Sequence, residues 1–128
     1  MRPGINSYRD LLVWQYAMDL AEAIYLLTRA FPREEIYGLT SQLRRSSSSV
    51  PANIAEGYGR DSRGAYVQLP KVAQGSLKEV ETHLLLTTRV GLTTPTESEP
   101  LLAKADEIGR MLRSLIRSLE NRNSGPGP

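Results

Sequence analysis

The side chains with chemistry to offer are few, and most of them are basic. One histidine, His83, stands alone. No second histidine and no cysteine lies at metal-ligand spacing from it, so no metal site and no cofactor is expected. A structural histidine, exposed or half-buried, is the plainer reading, with Glu79 one turn earlier as an ordinary helix-surface partner. Glu56, in Asn53-Ile54-Ala55-Glu56-Gly57, is the carboxylate to watch. If it faces a core, then Asn53, Arg44, Arg45 or a tyrosine must satisfy it, because an unpaired buried charge is very costly. Asn53 and Glu56 are therefore read as a structural polar network. A single carboxylate without a nucleophile, metal or phosphate loop makes no active site; no catalytic residue is assigned and the chain is read as a non-enzyme. Gly57-Tyr58-Gly59 reads as a helix stop; it follows no strand and does not form a P-loop, which argues against a nucleotide cradle.

Arginine is the richer resource. Arg44 and Arg45 precede a run of four serines, Arg60 and Arg63 fall at the following turn, and Arg110, Arg113 and Arg117 recur at helical spacing. These seven are the candidates for phosphate contact. Against them stand Asp106, four before Arg110, and Glu120, three after Arg117, which offer self-pairing on the same helix face. No aromatic residue interleaves with the Arg110 stripe as a base-stacking platform. Thirteen of the 16 basic residues are arginine. Bidentate phosphate recognition would use that excess, and GC-rich coding would also produce it.

Four helices must position these groups. The first is expected over Arg9–Ala30, with Ser7 as its N-cap, Asp10 near its positive end and Phe31-Pro32 as its stop. Val13, Ala17, Leu20, Ile24 and Leu27 form its core stripe. A second stripe, Trp14, Met18, Ala21 and Tyr25, runs beside the first. It is either a wide core face or a surface for another subunit, and Trp14, Met18 and Tyr25 are taken as the candidate oligomer interface.

The second helix is expected from Pro32 or Arg33 to Tyr58, buried along Leu39, Leu43, Val50 and Ile54 and kinked at Pro51. There the proline cannot donate to the Ser47 carbonyl. The hydroxyls of Ser46 to Ser49 could bond into that disturbed turn. The third is expected from Arg63 to about Val90, capped by Ser62, ended by Gly91, and kinked or broken near Pro70. Its face is Tyr66, Leu69, Ala73, Leu77, Val80 and Leu84. Gly75 and Ser76, small residues in mid-helix, point to close helix packing. The fourth starts at Thr94-Pro95 or one turn later at Ser98-Glu99-Pro100 and carries a seam of Leu101, Ala105, Ile108, Leu112, Leu115 and Leu119. Residues 121–128, NRNSGPGP, are expected to be a disordered tail on a single domain spanning 1–120. Short connections between long amphipathic helices predict an all-α, up-down-up-down four-helix bundle with a proline-kinked second helix.

Composition agrees. The chain has 128 residues, 40% of them hydrophobic, which is enough for one modest core and no more. It has no cysteine and no apolar run near the ~20 residues of a membrane span, and MRPGINSYRD lacks a secretory apolar core, so a cytoplasmic protein is expected. The net charge of +2 is weak. Nucleic-acid affinity would have to come from the arrangement of charge, or from repetition of a patch by assembly.

Several motifs in order carry a resemblance along nearly the whole chain: Tyr37-Gly38-Leu39-Thr40, Gln42-Leu43-Arg44-Arg45, Pro51, Asn53-Ile54-Ala55-Glu56-Gly57 and Gly75-Ser76-Leu77. Together they resemble the bacterial four-helix proteins encoded within intervening sequences of 23S ribosomal RNA genes, and their relatives, the accessory variability proteins of diversity-generating retroelements. The resemblance implies a homopentameric barrel of four-helix bundles with no enzymatic activity. For the retroelement branch it further implies a basic surface that binds RNA or DNA and a reverse transcriptase. Ser46 to Ser49 depart from the more alanine-rich form of the motif, Pro70 replaces an apolar helix former, and the weak charge departs from the strongly basic retroelement proteins. Two functions follow: a nucleic-acid-associated oligomeric scaffold or accessory subunit, or an oligomeric module that binds only protein.

Overall fold

The computed structural model describes residues 6–59 and 63–123. Its helices are α1 (Leu12–Thr28), α2 (Leu39–Tyr58), α3 (Arg63–Arg89) and α4 (Pro95–Asn123). No strand occurs among the described residues. Each helix packs on the next and α1 packs on α4, while α1 and α3, like α2 and α4, make no contact with each other. The bundle is thus four-sided with α1 and α3 on one diagonal, the all-α up-down-up-down arrangement that the amphipathic spacing predicts.

The expected stripes meet in one core. Leu20, Ile24, Leu43, Val50, Ile54, Leu77, Val80, Leu84, Ile108 and Leu112 are fully or almost fully enclosed. Each contributes about 1.5–3 kcal/mol by leaving water. Ile116, outside the seam read from the sequence, is also buried and widens the α4 stripe, while Leu101 and Leu115 are only partly covered.

Helix ends differ from expectation where local hydrogen bonds compete with the helix. Ser7 does act as a cap, but of a separate 3-10 turn, Tyr8–Asp10, whose capping box is completed by the Asp10 carboxylate accepting from the Asn6 and Ser7 backbone N–H groups. Leu11 is extended, and α1 begins only at Leu12. Similarly, Arg33–Glu35 form a 3-10 turn, and α2 starts at Leu39, where the Glu35 carboxylate accepts the leading N–H at 3.1 Å. At the end of α3, Gly91 at φ +82° lets Leu92 N–H reach the Thr87 carbonyl and Gly91 N–H the Thr88 carbonyl, closing the helix in a Schellman motif. α4 uses the earlier of its two start signals: Thr94 Oγ1 accepts from Glu97 N–H, and Glu97 returns the bond to the Thr94 N–H. It continues to Asn123, so residues 121–123 belong to the helix and not to a tail. Ser62, expected to cap α3, and residues 124–128 lie outside the described residues.

The internal prolines Pro51, Pro70 and Pro100 are all accommodated within helices. Around Pro51, Ser46 Oγ donates to the Gln42 carbonyl, and Ser47 and Ser48 Oγ donate to that of Arg44. The serines thus bond to the turn before the disturbed one, not to the Ser47 carbonyl that the proline leaves unsatisfied. Helix α3 runs without interruption through Pro70, so it is not broken there. Pro70 is buried, and a Cβ on Gly57 would stand 3.2 Å from its Cδ and 3.1 Å from Leu69 Cβ. Gly57 therefore lies inside α2, where it lets α3 approach, and is not a helix stop. Gly75 shows the reverse: it is exposed, and a Cβ there would meet nothing within 4 Å. Close packing inside the bundle does not explain it. Ser76 does face a neighbour, its hydroxyl 2.9 Å from that of Ser49.

Candidate functional site

Trp14, Met18 and Tyr25 come together as the second stripe of α1 predicts. With Tyr8, Ala21 and Glu22 they form one wall of a groove of ≈ 620 Å³, and Ser48, Pro51, Ala52 and Ala55 of α2 form the other. The proline turn builds this wall: Pro51 and the small side chains around it keep the α2 surface low, leaving the α1 side chains standing above it. Met18 and Tyr25 remain 44% and 43% exposed, so the bundle does not use them as core. Trp14 is half-buried and meets Tyr8 edge-on, ring centroids 5.2 Å apart.

Beside the proline, Asn53 bonds with Ser49 and, through it, Ser76. Asn53 Nδ2 donates to the Ser49 carbonyl at 2.8 Å and to Ser49 Oγ at 2.9 Å, and Ser49 Oγ contacts Ser76 Oγ across to α3. Glu56 is exposed and does not face the core. Sequence reading missed Ser49 and Ser76 as partners; their signal was the pair of small residues at matching heights on two adjacent helices.

The structure sorts the candidate arginines. Arg44 is turned inward: its Nε donates to Thr28 Oγ1 at 2.8 Å, and its guanidinium lies 4.7 Å from the centre of the Tyr25 ring. Thr28 itself is buried and donates to the Ile24 carbonyl. Arg44 is thus a strut between α2 and the end of α1. Arg45 is exposed. Arg110 is held by Asp106, the self-pairing anticipated from their spacing. Glu120 bonds instead to Lys71 of α3 at 2.9 Å, which leaves Arg117 free of it. Arg113 and Arg117 are exposed, and Arg117 borders a shallow polar cleft with Ser114, Ser118 and Asn121. Arg60 lies outside the described residues, as does the side chain of Arg63.

His83 is half-buried on α3, its Nδ1 enclosed without a hydrogen-bond partner, and Glu79 does not reach it. Among the described residues no group of three or more histidines and carboxylates could hold a metal ion. Nor is any described helix long and apolar enough to cross a membrane.

By its fold the chain belongs to the class of small all-α four-helix bundle proteins. More particularly, the match of residues 9–114 to the 23S rRNA-intervening sequence protein family shows that the chain belongs to that family. Its structure is similar to a 1.70 Å crystal structure from Bacteroides thetaiotaomicron VPI-5482, described as a protein with unknown function from the S23 ribosomal protein family. The TM-score is 0.74 at 25% identity, covering 82% of this chain and 98% of that one. No individual curated protein matches. Neither description names an enzymatic activity.

Proposed function

We propose that this chain is a non-enzymatic, cytoplasmic subunit of a homo-oligomer, five-fold by the resemblance of its motifs, that offers a repeated arginine surface to structured RNA. The observation that carries the reading is the groove of Trp14, Met18 and Tyr25, an apolar surface that a lone bundle leaves wet. Aromatic and methionine side chains of this kind are enriched in the cores of protein interfaces. The RNA half rests on the outward position of Arg45, Arg113 and Arg117. A net charge of +2 gives one chain little long-range attraction, so assembly is what would multiply these contacts.

Light scattering on the purified protein, with and without a structured RNA and across a salt series, tests both halves. A pentamer mass that rises with RNA at low salt is the expected result. Arg113→Gln with Arg117→Gln should then flatten the dependence of log affinity on log salt by about 1 for each arginine lost from an engaged subunit, with helicity unchanged. An oligomer indifferent to RNA transfers the reading to a protein partner, a reverse transcriptase being the one the retroelement resemblance implies. A monomer removes the assembly reading altogether.

A further inference from the structure

Besides the α1–α2 groove, the bundle carries one of similar size, ≈ 590 Å³, between the end of α3 and the start of α4. Leu85 and Leu86 line its α3 wall, and Pro95 and Leu102 its α4 wall. The two leucines stand 54% and 42% exposed. Volume and apolar lining of this kind suit a small molecule, which needs in addition a few placed polar groups to hold it in one orientation.

A line of hydroxyls supplies the first of these groups. Thr93 Oγ1 lies 3.1 Å from Thr88 Oγ1, and Thr88 Oγ1 donates to Ser98 Oγ at 3.0 Å. Thr88 and Ser98 both line the groove. Ser98 is 2% exposed; its oxygen takes the Thr88 proton, and its own proton has no acceptor among the described residues. Serine and threonine inside a helix commonly spend that proton on a carbonyl one turn back, as Ser46 and Thr82 do here. An enclosed donor left unspent costs free energy until an acceptor reaches it. The second group is Arg89, in the last turn of α3, which lines the groove and forms no ion pair among the described residues. The groove also opens on the first two turns of α4, the positive end of that helix dipole. Glu99 stands on the α4 rim as the opposing charge. The α1–α2 groove lacks this set: its charged lining residue is Glu22, and Ser48 Oγ spends its proton on the Arg44 carbonyl.

We infer that the α3–α4 groove binds an apolar organic carboxylate, its hydrocarbon part against Leu85, Leu86 and Leu102 and its carboxylate between the Ser98 hydroxyl and the Arg89 guanidinium. The unspent Ser98 proton decides the sign of the ligand. It calls for an acceptor, which a cationic head attracted by Glu99 would not provide. The inference is independent of RNA and of assembly through the α1–α2 groove.

Calorimetric titration at neutral pH with octanoate and with 1-octanol, which share a chain and differ in the head, tests it. Octanoate should bind at least about tenfold more tightly than the alcohol, the worth of one charge-assisted hydrogen bond. Arg89→Gln should bring the two close to equal affinity, and Glu99→Gln should tighten octanoate alone. Both residues are exposed, so circular dichroism should report a folded bundle for each variant. Leu86→Glu, which sets a charge where the chain lies, should abolish binding of both probes. The assignment is overturned if octanoate does not bind, if the alcohol binds equally well, if Glu99→Gln weakens octanoate, or if octanoate binding survives Leu86→Glu.

Discussion

Arg44 and Arg117 belong to one residue type in one chain and have unlike tasks. Arg44 gives its Nε to a buried threonine hydroxyl and its flat face to Tyr25, so removing it leaves Thr28 short of a partner and uncovers a ring. Arg44→Ala should cost about 1–2 kcal/mol in urea unfolding, the range for a charged hydrogen bond plus lost stacking. Arg117→Ala, on an open surface, should change stability by less than about 0.5 kcal/mol. The sequence placed both among phosphate-contacting candidates, and at this scale it could do no better. Whether an arginine is spent inside the molecule depends on a partner 16 residues away across a helix pair, and nothing in local spacing reveals Thr28 at the right height. The Asp106–Arg110 pair was legible because both residues sit on the same helix at i,i+4.

At the scale of the element, two glycines make the contrast. Gly57→Ala would put a Cβ 3.1 Å from Leu69 Cβ, forcing α2 and α3 apart. It should lower stability by about 1–3 kcal/mol, outweighing the gain of up to ~1 kcal/mol in helix propensity. Gly75→Ala meets no obstacle and should stabilise the chain by about 0.5–1 kcal/mol. Thermal unfolding followed by circular dichroism distinguishes the pair. Sequence reading assigned close packing to the wrong one. Gly57 was read as part of a Gly-Tyr-Gly stop, which is what glycines near a loop usually mark. Its role emerges only when Pro70, itself expected to break α3, is seen lying flat against it. The four helices were legible because their apolar stripes keep a 3.6 period through Pro51, Pro70 and Pro100. The first turns of α1 and α2 were not, because Ser7, Asp10 and Glu35 close small hydrogen-bonded turns that look like helix starts from composition alone.

The whole molecule is a closed circuit of four helices in which three of the four seams join neighbours along the chain. Only the α1–α4 seam joins distant segments, with Lys104 reaching Asp19 and the Tyr16 ring across it. This ordering has a kinetic consequence. Contacts between consecutive helices need little loop closure, so the α2–α3–α4 portion can form early and the chain should fold in the fast range typical of helical bundles. The seam between α1 and α4 is the one whose closure waits for the full length of the chain. In the reverse direction it is the natural place for the circuit to open. Native-state amide exchange should therefore release the interior of α1 at lower free energy than the interior of α3. A detached α1 carries an intact apolar stripe, and the vacancy it leaves fits the same helix from any other copy. At high concentration or near the melting temperature, such exchange would give chains interlocked through swapped first helices, separable only on unfolding.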